Sequence, residues 1–211
     1  MEIWLIRHGD TLKATQEHYD NIKKAPNPPL TELGVRQAQA LAKRLERESF
    51  DRIISSDLDR AVQTAVPIME KRSLVLEQSP WIREMDFGDM CCNSWSNFPE
   101  YHEKFKQHLE DLPYPNGENG QDVWERCSQL LDTLDYEADE KVAIICHGGV
   151  IRVLVCGLLG LPQNFRYHFG RPVYHCSITR LRFFKGKATL HTLNDHGHIL
   201  GICPKEREDE V

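Results

Sequence analysis

Val142-Ala143-Ile144-Ile145-Cys146-His147-Gly148-Gly149-Val150 is the stretch on which the fold turns. Its first five residues form a fully apolar strand, His147-Gly148-Gly149 ends that strand, and an apolar helical run continues to Leu159. Near the start of the chain the same punctuation recurs, with the short buried strand Ile3 to Ile6 ending in Arg7-His8-Gly9. A third strand, Arg52 to Ser56, leads into a helix expected over Asp57 to Arg72 and kinked at Pro67. Strands that alternate with helices predict an α/β sandwich on a mainly parallel sheet, whose ligands bind beyond the carboxyl ends of the strands.

The other segments fit that frame. Residues 10–30 are polar, and Pro26, Pro28 and Pro29 argue against regular pairing there. Thr31 is the expected N-cap of a helix that gathers Ala38, Leu41, Ala42 and Leu45 on one face. A further strand is expected at Leu74 to Glu77, an amphipathic helix at Gln121 to Tyr136, and a strand pair at Tyr174 to Phe184 and Lys187 to Leu193, joined at Lys185-Gly186. Residues 81–120 are the least regular, rich in aromatics, with a helical stretch near 99–111 and turns at Pro113, Pro115, Gly117 and Gly120. The expectation is one domain over 1–211, with a small irregular cap at about 89–120 and a frayed end from Lys205 to Val211.

The chain has 211 residues, with 32 acidic and 26 basic side chains for a formal charge of −6. That balance argues against nucleic acid or an anionic membrane as partner. Seven cysteines, none in a Cys-x-x-Cys pair, do not make a disulfide framework and point to a reducing compartment. The N-terminus shows no signal peptide, and the longest apolar stretch, Val150 to Leu161, is interrupted by Arg152 and too short to span a bilayer, so a cytoplasmic location is expected. Without coiled-coil heptads, monomer and homodimer both stay open.

His8 and His147 should emerge at one edge of the sheet, where Arg7 and the first-turn helical Arg60 can join them. Two histidines and two arginines on one edge suit a dianionic tetrahedral group such as phosphate, and the helix opening at Gly148 would aim N–H groups at an anion. Nearby positive charge disfavours imidazolium and leaves a histidine neutral and nucleophilic. Glu84, in Arg83-Glu84-Met85-Asp86-Phe87-Gly88, is the candidate proton donor, with Asp86 next in line and an ion pair with Arg83 as the bland alternative.

Arg7-His8-Gly9-Asp10-Thr11 resembles the opening motif of the histidine phosphatase superfamily, also called phosphoglycerate mutase-like. The resemblance extends through Pro29 to Gly34 with Gln37-Ala38, through Ser55 to Ala61 with Gln63-Thr64-Ala65, through Glu84 with Asp86-Phe87-Gly88, and through His147 to Arg152. Gly117-Glu118 followed by Arg126 is a weaker block. It implies a three-layer α/β/α fold, His8 as phosphorylated nucleophile, Arg7, Arg60 and His147 as phosphate ligands, Glu84 as proton donor, and neither metal nor cofactor. Thr11 and Gly148, within the matched blocks, are further expected substrate contacts. Glu-x-Asp-Phe-Gly is similar to the phosphatase branch, which includes broad-specificity phosphatases and α-ribazole phosphatase.

The expected activity is therefore hydrolysis of a small phosphorylated molecule. Phosphoglycerate mutase-type transfer and a non-catalytic phosphate-binding or interaction protein on the same fold are the alternatives. Asp10 and Ala14 stand where the family usually has glutamate and asparagine, and Met90-Cys91-Cys92 departs from its acidic and glycine residues. Neither Cys91-Cys92 nor His196-Gly197-His198 has zinc-ligand spacing. His102, His108, His168 and His175 read as structural, and Lys13, Lys23 and Lys24 as solvated or as contacts for a second anionic group.

Overall fold

The computed structural model describes residues 1–13, 16–20, 25–70, 72–91, 93–169 and 172–202. Ala14, Lys23, Lys24, Cys92, Cys203 and the charged end from Lys205 to Val211 lie outside the described residues. The strands are β1 (Glu2–Arg7), β2 (Tyr19–Asp20), β3 (Ala25–Pro26), β4 (Arg52–Ser56), β5 (Leu76–Ser79), β6 (Lys141–Cys146), β7 (Ile178–Phe184) and β8 (Lys187–Asp195). The α-helices are α1 (Glu32–Arg44), α2 (Asp59–Met69), α3 (Pro99–Lys106), α4 (Gly120–Leu131) and α5 (Gly148–Leu158).

One six-stranded sheet runs in the order β5-β4-β6-β1-β7-β8. β5, β4, β6 and β1 are parallel, whereas β7 pairs antiparallel with β1 and β8 antiparallel with β7. Alternation along the strands sorts the core into two layers. Ile3, Leu5, Val142 and Ile144 face α4 and α5 through Val123, Cys127, Val150 and Leu154. Trp4, Ile6, Ala143 and Ile145 face α1 and α2 through Leu41, Ala61 and Ile68. The result is the expected three-layer α/β/α sandwich. Each fully buried aliphatic side chain contributes roughly 1.5–3 kcal/mol.

Caps set several boundaries. Thr31 Oγ1 accepts from Gly34 N at 3.0 Å and starts α1 as expected. α4 begins one residue before the sequence reading, because Asn119 and Asp122 form a capping box, and it ends at Leu131 rather than reaching Tyr136. α3 stops at Lys106 instead of continuing to 111, since His108 takes a left-handed backbone with φ of 51°. The fifth strand lies at Leu76–Ser79, two residues beyond the expected one, and Pro67 falls in the last turn of α2.

Two further corrections bear on the site. Pro26 does pair: Tyr19 faces it in the two-stranded ladder of β2 and β3, a short ladder that tolerates proline's missing N–H. β7 begins at Ile178, not Tyr174. Residues 174–177 instead turn across the end of β1, where Cys176 N donates to Arg7 O at 3.1 Å and Cys176 has φ of 54°.

No helix among the described residues is long and apolar enough to cross a membrane. Cys127, Cys146 and Cys156 are buried free thiols.

Candidate active site

Three parallel strands deliver the predicted residues to one edge. β1 ends in Arg7 and His8, β6 runs into His147 at the N-cap of α5, and β4 leads into the first turn of α2 with Arg60. His8, Arg60 and His147 are 5%, 7% and 0% exposed. The rings of His8 and His147 lie 5.1 Å apart at 60°, and Arg60 Nε donates to His8 Nε2 at 3.3 Å.

The tautomer of His8 follows from its two partners. Its Nδ1 lies 2.7 Å from the carbonyl oxygen of Gly9, which can only accept, so Nδ1 carries the proton. The guanidinium of Arg60 can only donate, so Nε2 presents a lone pair. Burial pushes the His8 pKa well below the ordinary histidine value, and His147, Arg60, Arg7 and His175 push the same way. Desolvation therefore outweighs the neighbouring charges that the sequence reading put first. His147 is lowered for the same leading reason. Burial draws the Arg60 guanidinium down to about 10, with Glu84 opposing the shift and Arg7 adding to it. Arg60 still stays cationic at neutral pH.

The matched blocks without obvious chemistry turn out to brace this seat. Thr64 Oγ1 accepts from Gly9 N at 3.0 Å, and Gln37 Oε1 accepts from Asp10 N at 2.8 Å. Gln63 Oε1 accepts from Leu30 N at 2.9 Å, and Thr31 Oγ1 donates to Asp10 Oδ2. A Cβ on Gly34 would lie 2.1 Å from Asp10 O and one on Gly9 2.7 Å from Gly34 O, so the two backbones meet where only glycine fits. Arg60 Nη1 donates to Pro26 O at 2.9 Å, which ties the β2–β3 ladder to the same cluster. Arg7 Nη1 donates to Val173 O.

Glu84 stands across the cleft from this cluster. Its Oε1 accepts from Met85 N at 2.9 Å, and its Oε2 from Gly149 N at 3.4 Å. The opening of α5 thus meets a carboxylate from the protein itself. Arg83 does not pair with Glu84; it makes a bidentate pair with Asp57, with Nε to Oδ1 at 2.7 Å. Arg126 supports the acid loop from behind. It grips Glu118 through Nε and Nη2 at 2.7 and 3.0 Å, and donates to the carbonyls of Trp81 at 2.6 Å and Glu84 at 3.2 Å. Glu118 also accepts from Asp86 N at 2.8 Å, and Gly88 holds φ of 48° against Pro115 and Gly117.

Arg7, His8, Arg60, Glu84 and Thr11 line one cleft of about 670 Å³. Gly148 lies behind it: a Cβ there would stand 3.4 Å from Arg7 Nε. Both ring nitrogens of His147 are buried without a hydrogen-bond partner among the described residues. Among those residues no group of three or more His, Cys, Asp or Glu side chains gathers as a metal site.

One neighbour was missed. His175 lies 5.7 Å from the His8 ring, with Nδ1 3.8 Å from Asp10 Oδ1, and burial and Arg7 push its pKa down to about 3. No local motif marks it. The signal was topological, since a strand antiparallel to β1 must begin beside the end of β1.

Comparison with known proteins places the chain in a family. A Yersinia pestis protein named "Probable phosphoglycerate mutase" is 29% identical over 188 residues, covering 87% of this chain and 85% of the relative. The α-ribazole phosphatase structure from Shigella flexneri is 28% identical with a TM-score of 0.76, covering 92% of this chain and 96% of that one. A mycobacterial glucosyl-3-phosphoglycerate phosphatase solved with inorganic phosphate is 27% identical with a TM-score of 0.78, covering 93% and 98%. The family model for the histidine phosphatase superfamily, branch 1, matches residues 3–196, and the chain belongs to that superfamily.

Proposed function

We propose that this chain hydrolyses phosphate monoesters of small molecules through a phosphohistidine on His8. The observation that carries the reading is the His8 tautomer, a buried neutral ring with its proton tied to Gly9 and its Nε2 lone pair beside Arg60. The Nε2 lone pair attacks phosphorus and the bond to the ester oxygen breaks, while Glu84 gives that oxygen its proton. Water then attacks phosphorus and yields a proton to Glu84, and the P–N bond breaks to restore neutral His8. Arg7, Arg60 and His147 stabilise the equatorial oxygens, Thr11 borders the phosphate, and Gly148 leaves room for the Arg7 side chain behind it. The charge of the seat comes from arginine, so no metal enters the scheme. Residues 89–120 act as a cap on one domain spanning 1–211.

The similarity to solved phosphatases supports hydrolysis over transfer. The test is turnover of p-nitrophenyl phosphate in chelator, with acid quench to trap the phosphohistidine. His8→Ala is expected to lower kcat about 10⁴-fold or more. Full activity in that variant would overturn the proposal. Isomer exchange of phosphoglycerate without phosphate release would assign the mutase reaction, and tight ester binding without turnover a binding protein.

A further inference from the structure

Beyond the phosphate seat, the cleft changes character. Leu12, Trp81 and Phe87 are 49%, 46% and 37% exposed, yet all three border this one cleft, together with Pro28 and Met90. Large apolar side chains left in contact with water and gathered on one concave wall mark a surface built to be covered. The cations on that wall are already engaged. Arg83 is held bidentately by Asp57 and Arg126 by Glu118, and Asp86 and Glu118 add carboxylates to the lining. A substrate with a second anionic group would meet fixed negative charge at Asp86 and Glu118, and in Arg83 and Arg126 cations already paired with carboxylates. Separating either pair would leave a carboxylate uncompensated.

We infer that the alcohol half of the substrate is apolar and carries no second anionic group, as in a phosphate monoester of an aralkyl or alkyl alcohol and unlike a phosphoglycerate or a bisphosphate. The inference rests on the phosphomonoesterase reading for the position of the ester. Leu12, Trp81 and Phe87 are its specificity-determining residues. The phosphate sits against His8 and Arg60, and the carbon skeleton lies along the wall between Leu12 and Phe87.

The test compares kcat/KM for benzyl, n-butyl and glycerol phosphates and 3-phosphoglycerate, all esters with the phosphate oxygen on a saturated carbon. Benzyl phosphate is expected to exceed 3-phosphoglycerate by about 100-fold. Trp81→Ala should narrow the benzyl-to-glycerol ratio about tenfold through KM. Leu12→Lys, at a half-exposed position that accepts a charged side chain, should raise kcat/KM for 3-phosphoglycerate about tenfold. Equal or better turnover of 3-phosphoglycerate by the unaltered protein would overturn the inference. Calorimetric titration with butylphosphonate and 3-phosphonopropanoate reads the same preference without turnover, and tighter binding of the carboxylated probe would overturn it as well. If no ester turns over while butylphosphonate still binds more tightly, the hydrolytic reading fails and the apolar wall stands.

Discussion

His8, Arg60 and His147 follow three neighbouring parallel strands and are almost wholly buried, whereas Leu12, Trp81 and Phe87, which border the cleft that His8 and Arg60 line, lie in loops and a short 3-10 turn and stand half in water. The inner half is held by interlocked glycine backbones and by buried hydrogen bonds from Thr64 and Gln37. The outer half is held by the Arg126 and Arg83 clasps and by aromatic contacts such as Phe87 against Tyr114, 5.0 Å apart. On the proposed reading, chemistry that needs a fixed lone pair lies in the buried, braced half, and recognition lies in the half exposed to water. The sheet makes this division natural, because strand ends are rigid and the loops between them are not.

The sharpest way to break the comparison is Glu84→Gln, which keeps shape and removes the proton. Proton transfer contributes about 10²–10⁴-fold, so kcat should fall within that range while KM changes little. A KM effect alone would move Glu84 from the reacting half to the recognising half. Arg126→Ala comes next, because it cuts the strut between the halves. It removes the guanidinium from Glu118 and leaves the Glu84 carbonyl without its donor, with an expected stability loss of about 2 kcal/mol in urea unfolding. Its loss in kcat should exceed its effect on KM if the clasp positions the acid.

The inner half also predicts a pH dependence. The folded pKa values of His8, His147 and His175 all lie below the ordinary 6.5, so their stabilisation is complete above that pH and is lost as pH falls. Each histidine should contribute up to about 1.4 kcal/mol per pH unit below 6.5, and for His175 the loss continues toward about 3. Urea unfolding at pH 7 and pH 5 checks this, and His175→Gln should flatten the slope. The smallest effect is expected at Phe87→Ser, about 1 kcal/mol in stability, since the ring is 37% exposed and loses its edge contact with Tyr114. A large loss there would mean that the wall is part of the core.

Much of the inner half was legible in the sequence. His8 and His147 follow strands short and apolar enough to be read as buried, and their flanking glycines mark tight turns, whereas Arg60 was legible through its matched block. The bracing residues were visible as parts of matched blocks, but their roles were not, since Gln37 and Thr64 act on backbone groups 27 and 55 residues away. His175 was hidden for a different reason, as its proximity to His8 depends on the antiparallel pairing of β7 with β1. Arg83 illustrates a limit of adjacency: the carboxylate beside it in sequence is not the one it pairs with. In the outer half, exposure of Trp81 and Phe87 could not be told from burial by composition alone.

Arg126 reaches Trp81 and Glu84 through their carbonyl oxygens. Every residue type carries such an oxygen. The side chain at position 81 can therefore be exchanged while the strut to the acid stays whole. On the proposed reading, a lineage built on this scaffold could drift from one alcohol to another without reinventing its catalyst, because the grip on Glu84 is indifferent to what the wall displays.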